Sequence, residues 1–291
     1  MLKSTYNFIM LLMLFFSIST KALTITKTLY INKGQFVAID SSQKAPYYAF
    51  NSSRIFDAHN TVFTITTADI LVLKIINTDT IKHGFNVKNH TQLNSVINPG
   101  DSVTHTLNFN TQGVFIYYDS YDYPKFSYMG AAGMICVDNN TFCKKFYWNL
   151  KEHQLSYNYQ LDANKTVNWK NYSPDWYTTN GLSYPFISTD TSTFVLGELG
   201  DTIHIFVATT GQAAHSMHFH GFHCKIIASS NPKYLGWMKD TFPINKMEGV
   251  IFELIADQLG QYAVHDANLM TRAGGGVLLY GMINSISILK K

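Results

Sequence analysis

Apolar and polar residues alternate with a period of two through most of the chain after its first 22 residues. The alternation is clearest in residues 61–77 (TVFTITTADILVLKIIN), 101–110 (DSVTHTLNFN), 201–208 (DTIHIFVA) and 249–257 (GVIFELIAD), where Val, Ile, Thr and Phe dominate. Successive side chains of a β-strand point to opposite faces of its sheet, so this period indicates strands with one buried face. No segment has a convincing helical period. The pattern therefore predicts an all-β fold, as a sandwich or a barrel.

The strand pattern also occurs twice along the chain. The first half reads LKIIN, KHGFNV, GVFIYYDS and GMICV in order, and the second half reads IHIFVA, FHGFHCKI, GQYAVHDA and GMINSI. This alignment pairs His83 with His220, and Tyr118-Asp119 with His265-Asp266. Each half spans about 120 to 130 residues, which is an ordinary domain size. We therefore expect two similar β-domains in tandem.

The N-terminal segment, residues 1–22, has the composition of a secretory signal. Lys3 precedes an apolar run that extends from Phe8 to Ser17, and small residues follow it. The run is too short to cross a bilayer comfortably, so we predict cleavage and export, to the periplasm or outside the cell, without stable membrane insertion afterwards. An uncleaved anchor helix is the alternative. The mature chain then divides into domain 1, residues 23–150, and domain 2, residues 151–291.

Charge is sparse and evenly spread. Charged residues make up 14% of the 291 residues, aromatic residues another 14%, and the net charge is +3 without a concentrated basic run. The high aromatic and low charged content is that of a folded protein and excludes a disordered chain. The lack of a basic patch argues against nucleic acid as a partner.

The chain has three cysteines, Cys136, Cys143 and Cys224. In an oxidising compartment Cys136 and Cys143 have a spacing that suits a short-loop disulfide, and two unpaired thiols are the alternative. Cys224 is left over, and we expect it to be buried.

The strongest local signal is the segment HSMHFHGFHC, residues 215–224. It places His215, His218, His220 and His223 within nine positions, whereas the whole chain has 11 histidines. On a strand, His218 and His220 project from the same face about 7 Å apart, which lets two imidazoles bind one metal ion, or two adjacent ions, at about 2.0 Å. Neutral imidazole suits copper, zinc, nickel and iron. The segment therefore predicts a metal site, and a solvated histidine-rich loop is the alternative.

The same segment resembles the copper-binding strand of the multicopper oxidases, a family of the cupredoxin superfamily with a His-Pro-x-His-x-His-Gly-His type of motif. By this resemblance, His215 corresponds to the mononuclear copper ligand, and His218 and His220 correspond to two ligands of the trinuclear type. Lys239-Asp240-Thr241 is similar to the family's next element. The resemblance implies two cupredoxin-like Greek-key domains, and it is specific only in the second half of the chain.

The chain departs from that family at the closing motif. The family has His-Cys-His there, and the cysteine thiolate forms its blue mononuclear copper centre. Here His265 matches the first histidine, but Asp266 and Ala267 replace the cysteine and the second histidine. A carboxylate is a hard ligand and does not replace a soft thiolate electronically, so we predict no blue copper centre. Asp266 can instead hydrogen-bond a ligating imidazole and set its tautomer.

The first half retains fewer matches to the family. His83 survives on the strand, but Tyr118 and Asp119 stand where the closing motif would lie. In the family, a trinuclear cluster draws paired histidines from both domains. The resemblance therefore does not support an oxygen-reducing cluster in this chain.

Three histidines remain as the core of a predicted site: His218, His220 and His265. If they converge, they form a three-histidine metal site with an open position, which can polarise a substrate or lower the pKa of bound water. His215 and His223 are further candidate ligands. The alternative for His265 is a core histidine bonded to a backbone carbonyl.

We expect copper, one Cu²⁺ per chain, by the resemblance and because imidazole binds Cu(II) tightly. The chain is then an exported copper-binding protein, or a divergent copper-dependent oxidoreductase that needs an external electron donor. The alternative is a non-enzymatic cupredoxin-fold binding module that has lost its metal. Two-domain members of the family form trimers with sites between subunits, so the resemblance leaves open a homotrimer in which His83 of one copy meets His218 of another.

Overall fold

The computed structural model describes residues 22–37, 43–90, 93–278 and 280–291. Over these ranges the all-β prediction is confirmed, because strands dominate and the helices are short. The predicted signal segment lies outside the described residues, apart from its last residue, Ala22. None of the helices in the described ranges is long and apolar enough to cross a membrane.

Two facing sheets form the first half, and buried side chains such as Leu71, Phe85 and Ile135 fill the space between them. The elements are β1 (Thr24–Val37), β2 (Lys44–Asn51), β3 (Phe63–Ile65), β4 (Ile70–Asn77), β5 (His83–Val87), β6 (Ser95–Ile97), β7 (Ser102–Asn108), β8 (Gly113–Tyr118), the helix α1 (Lys125–Tyr128) and β9 (Ala132–Val137). One sheet has the order β2-β1-β4-β7, and the other has the order β3-β9-β8-β5-β6.

The second half has the same construction, around a core that includes Trp148, Phe219 and Phe252. The elements are β10 (Lys144–His153), the helix α2 (Leu155–Asp162), β11 (Trp176–Thr179), β12 (Val195–Glu198), β13 (Thr202–Thr209), β14 (His215–Phe219), β15 (Cys224–Ser229), β16 (Met238–Lys239), β17 (Thr241–Ile244), β18 (Gly249–Ile255), β19 (Gly260–Asp266), β20 (Ala273–Gly274), β21 (Val277–Leu278) and β22 (Ile283–Leu289). The two main sheets have the orders β11-β10-β13-β18-β15-β16 and β12-β22-β19-β14-β17, and β20 pairs separately with β21.

The strand pairing shows that the halves repeat one architecture. In the first half β1 runs parallel to β4, and β3 runs parallel to β9. In the second half β10 runs parallel to β13, and β12 runs parallel to β22. The central pairs β5–β8 and β14–β19 are antiparallel in both. The predicted fold class, two cupredoxin-like sandwiches, is confirmed.

The structure corrects one detail of the predicted repeat. His83 is the first residue of β5 and contacts Asp119, just as His215 is the first residue of β14 and contacts Asp266. His83 therefore corresponds to His215, and its alignment with His220 is wrong. The shared motif His-Gly-Phe gave the wrong alignment. It begins strand β5 in the first half, but it follows the end of strand β14 in the second half.

The predicted boundary between the two domains falls inside a strand. β10 crosses residues 150 and 151, and its residues 144–150 pair with β13 of the second half. The division into residues 23–150 and 151–291 stays a prediction, and this pairing favours a division before Lys144.

The helix α2 follows β10 and buries only Tyr157, Asn158 and Leu161. Three buried residues are too few for a helical period to be visible in the sequence.

The three cysteines are free thiols, so the Cys136–Cys143 disulfide is not formed. Cys136 is fully buried among apolar side chains that join the two halves, whereas Cys143 is half-buried on the loop before β10. Cys224 is buried in the core of the second half, as expected.

A shared apolar layer joins the two halves. Val114 and Ile116 on β8 pack in one buried cluster with Phe206 and Ile251, which lie on β13 and β18. Gly249 begins β18, and a Cβ atom at this position would lie only 2.3 Å from the carbonyl oxygen of Val114. Only glycine allows the two backbones to approach this closely.

A buried histidine in the second half lies between two carboxylates. His215 Nδ1 is 2.8 Å from Asp266 Oδ2, and His215 Nε2 is 3.2 Å from Glu152 Oε2. The other oxygen of Asp266 accepts hydrogen bonds from the backbone N–H groups of Ser216 and Asn268. Burial alone would lower the pKa of His215, but its hydrogen bonds to the two carboxylates outweigh burial and raise this pKa to about 9. The ring is therefore a cation at neutral pH.

The first half has a matching arrangement. His83 Nδ1 is 2.5 Å from Asp119 Oδ2, and His83 Nε2 is 3.1 Å from Asp79 Oδ2. Asp119 Oδ1 accepts from the backbone N–H groups of Gly84 and Tyr121. Burial lowers the pKa of His83, and the two carboxylates raise it to a net value above its usual range. We call these two arrangements the histidine–carboxylate triads.

Substitution of Gly249 by alanine should destabilise the contact between the halves. The new Cβ atom would collide with the Val114 carbonyl oxygen, and we expect a loss of about 2 kcal/mol in the free energy of unfolding, as for other overpacked interiors. Urea denaturation measures it. Gly113→Ala is the matched control, because its Cβ would lie 3.4 Å from the nearest atom, in the Phe115 ring. Equal effects of the two substitutions would contradict the proposed collision.

Substitution of Asp266 by asparagine should destabilise the fold most at neutral and acidic pH. The raised pKa of His215 means that its stabilising charge is fully present below about pH 6.5 and is lost as the pH rises through about 9. Asp266→Asn should therefore cost about 3 kcal/mol at pH 6.5, and this deficit should shrink towards pH 9.5.

The matched control for that measurement is Asp201→Asn. Asp201 forms a partly exposed ion pair with Lys144 at 2.8 Å. A pair of this kind contributes at most about 1 kcal/mol, so the control should show a small deficit that stays constant over the same pH range. A deficit in Asp266→Asn that does not depend on pH would contradict a charged His215.

Candidate metal centre

The candidate site lies on the outer face of the sheet β12-β22-β19-β14-β17. Met217 and Phe219 on β14 are buried in the core, so His218 between them points to the opposite face. His218 pairs with His265 on β19 and with Thr241 on β17. Partners directly across a sheet share a face, so these three side chains form one row.

A tight turn places the next histidine beside this row. His220 follows the end of β14, and its backbone N–H donates to the carbonyl oxygen of Ala263 at 3.1 Å. Gly221 then adopts a φ of +76°, and a Cβ atom there would lie 2.4 Å from the Tyr262 ring. A side chain at position 221 would therefore displace the turn that holds His220 against β19.

Three of the predicted ligands come together. The ring centroids of His218 and His220 are 4.6 Å apart, those of His220 and His265 are 5.0 Å apart, and those of His218 and His265 are 5.7 Å apart. The Nε2 atoms of His220 and His265 approach to 2.9 Å. His220 is exposed, and the other two rings are half-buried, so the cluster opens to solvent.

Hydrogen bonds orient two of the rings. His265 Nδ1 lies 2.7 Å from the backbone carbonyl oxygen of Asp266. A carbonyl oxygen only accepts, so Nδ1 donates, and in the neutral ring the lone pair is then on Nε2. His218 Nδ1 lies 2.8 Å from Thr241 Oγ1 across the strand pair. Both contacts lie behind the faces that the rings present to one another.

The electrostatic environment keeps His220 neutral. Partial burial lowers the pKa of His220, and the neighbouring His218, His265 and Arg272 lower it further, because each disfavours another positive charge. A metal ion binds the neutral form of imidazole, so little proton competition remains at His220 at neutral pH.

The residues fit one metal ion. Two nitrogens bonded to one ion at about 2.0 Å lie about 2.8 to 3.3 Å apart for bond angles of 90 to 109°. The 2.9 Å between the Nε2 atoms of His220 and His265 falls in that range. The three histidines do not bring one donor atom each within 4.8 Å of both others, so His218 has to rotate inward to act as a third ligand.

His215 and His223 do not join this cluster. His215 lies on the buried face of β14, where both its ring nitrogens contact carboxylates, so the structure does not bring it to the other three histidines; its role as a ligand stays a prediction. His223 is exposed and lines a separate cavity with Lys225 and Glu253.

The triads account for two other predicted roles. The Asp266 carboxylate contacts His215, and it is the Asp266 backbone carbonyl that orients His265. His83 is fully buried between Asp119 and Asp79, so it is not available to meet His218 of another copy.

Two residues of this region were not predicted as contacts. Thr241 stands in a segment similar to the family's next element, and its pairing with His218 follows only from the register of β14 and β17. Glu152 lies 63 residues before His215, in the stretch that the sequence marks only as a connection. No local sequence signal links the two, because Glu152 lies on β10 and reaches His215 only through the packing of the second sandwich.

Comparisons with known proteins show which folds and families the chain is similar to. Residues 152–276 match the family model described as multicopper oxidase. Among curated proteins, none matches the sequence significantly. Two solved structures with the same fold are a blue copper oxidase from Nitrosomonas europaea (TM-score 0.77, 19% identity, 91% of this chain and 86% of that one) and the multicopper oxidase mgLAC (TM-score 0.76, 17% identity, 92% and 86%).

A third structure is a copper nitrite reductase from Nitrosomonas europaea, with a TM-score of 0.72, 18% identity and coverage of 91% of this chain and 94% of that chain. At this identity the three structures establish the shared fold. The family match covers residues 152–276, so the second half is similar in sequence to multicopper oxidases, and the chain as a whole shares their fold.

Proposed function

We propose that this chain is an exported copper-binding protein with one mononuclear site formed by His218, His220 and His265. The observation that carries the proposal is the 2.9 Å approach of the His220 and His265 Nε2 atoms on the open face of the sheet. Two imidazoles held this close, with one lone pair directed by the Asp266 carbonyl, are suited to a shared ion.

Copper is the metal that the donor set favours. Imidazole sites bind Cu(II) more tightly than the other divalent ions of the first transition row. The solved structures with this fold include proteins named as a blue copper oxidase and a copper nitrite reductase. Export rests on the N-terminal segment, with Lys3 before the apolar run from Phe8 to Ser17.

The site lacks the parts of a blue copper centre. Asp266 stands at the position of the thiolate, and its carboxylate is bonded to the protonated His215. A bound copper ion would supply one-electron redox chemistry, so an oxidoreductase built on this site takes each electron from an external donor. Thr241 and the Asp266 carbonyl oxygen would hold the rings, and the solvent side would remain open for a further ligand.

A second copy of the chain could pack over this face of the sheet in an oligomer. His220 is exposed, and the cluster lies on the sheet that faces away from the first half of the same chain. In a trimer, a neighbouring subunit would close the open side. The buried His83 would contribute nothing to such a contact.

Copper reconstitution of the mature protein should give one tightly bound Cu²⁺ per chain. The EPR spectrum should be that of ordinary tetragonal Cu(II), without an intense blue band, because the site has no thiolate ligand. His265→Ala should weaken copper binding by roughly 100-fold or more, since it removes one of the two converging nitrogens. Metal analysis and a competition titration measure the stoichiometry and the affinity.

His223→Ala is the matched control, because His223 lies in the same histidine-rich segment but faces another cavity. It should leave copper affinity unchanged. An absence of bound copper after reconstitution would reject the proposal and leave the non-enzymatic binding module. Three or four coppers per chain, or a strong blue band, would reject the mononuclear assignment.

A further inference from the structure

A second group of metal-type donors lies on the other side of the second sandwich. Asp138 follows the end of β9, Cys143 precedes β10, and His204 is on β13. Their donor atoms all lie within 4.8 Å of one another, and this is the one group of three His, Cys, Asp or Glu residues in the described ranges that meets this distance. Asp138 and His204 are almost completely buried, and Cys143 is half-buried.

The separations of His204 and Cys143 from Asp138 suit a tetrahedral ion. His204 Nδ1 is 2.9 Å from Asp138 Oδ2, and Cys143 Sγ is 3.7 Å from the same oxygen. With bonds of about 2.0 Å to nitrogen and oxygen and about 2.3 Å to sulfur, tetrahedral angles require separations of about 3.3 and 3.5 Å. Both observed distances are within about 0.4 Å of those values.

The second ring nitrogen of His204 lies next to a carboxylate that could accept a hydrogen bond from it. His204 Nε2 is buried and forms no hydrogen bond, yet Glu253 Oε2 lies 3.5 Å away, directly across the strand pair. When Nδ1 binds an ion, the ring proton resides on Nε2 and is directed at Glu253. Ligating histidines commonly donate their second N–H to a carboxylate in this way, and the contact fixes the tautomer.

Lys145 competes for the same carboxylate. Its Nζ atom lies 2.9 Å from Asp138 Oδ2, where it balances the charge in the absence of an ion. The Lys145 side chain is partly exposed, so its ammonium group can move into solvent when an ion arrives. The group is therefore either a structural ion pair, or a cation site that Lys145 occupies when no metal ion is bound.

We propose that Asp138, Cys143 and His204 form a second metal site, for a zinc-class divalent cation with one solvent ligand. Nothing in the histidine cluster on the outer face takes part in it. Burial, and then the charge of Asp138, raise the pKa of the Cys143 thiol to about 11, so binding of the ion must release one proton from sulfur. The bound ion would tie the loop after β9 to β13 and so link the first half to the second.

Cobalt(II) tests this proposal, because a cobalt–thiolate bond gives a near-ultraviolet charge-transfer band that imidazole ligands do not. The intact mature protein is first stripped of metal and kept reduced. It is then titrated with Co²⁺ under anaerobic conditions. We expect the band to saturate at one equivalent, and Zn²⁺ to remove it by competition. Cys143→Ser should abolish the band. Cys224→Ala, which changes a thiol buried in the second core, should retain it.

Three further variants separate the possibilities. Lys145→Met should tighten cobalt binding by roughly tenfold, since the competing ammonium is gone. Glu253→Gln should weaken it by about 10- to 100-fold, as expected for the partner of a ligating histidine. The double variant His220→Ala, His265→Ala should leave the band unchanged even if copper binding is lost.

Lack of a thiolate band in the wild-type protein at saturating Co²⁺ would overturn the proposal. A band that appears only in Lys145→Met would also overturn it, because the lysine would then be the native counterion. A band that survives in Cys143→Ser would place the thiolate ligand elsewhere and reject this site.

Discussion

The buried contact between His215 and Asp266 determines how the second sandwich can be arranged. It joins the start of β14 to the end of β19, and the second oxygen of Asp266 receives two backbone N–H groups. A strand that slips by one residue turns all its side chains to the other face, so a bonded pair at this point fixes the register. The row in which His218 faces His265 follows directly.

The triads also explain how the chain buries a carboxylate next to the histidine cluster. The Asp266 carboxylate would be costly to bury alone. The protonated His215 ring and Glu152 turn this position into a satisfied network of charges. The same solution occurs around His83 in the first half. The buried face of β14 thus carries the charged His215 network, and its outer face carries His218 beside His265 of β19.

The fold could be predicted from local pattern because several strands bury alternate side chains, as β4 illustrates. The convergence of His218 with His265 could be anticipated from the two motifs in the chain. The partners of His215 could not, because Glu152 reaches it from β10, 63 residues away. Nor could the separation of His215 from the other three histidines, because its motif position suggests a ligand whereas both its ring nitrogens contact buried carboxylates.

The apolar layer between the halves has a mechanical consequence. Val114 and Ile116 of one sandwich share a single buried cluster with Phe206 and Ile251 of the other, and Lys88 Nζ donates across the junction to the carbonyl oxygen of Met247. Duplicated modules often rotate about a linker, but here apolar side chains of both halves share one buried cluster. Rotation of one sandwich against the other would have to break this cluster, so we expect the two halves to unfold together.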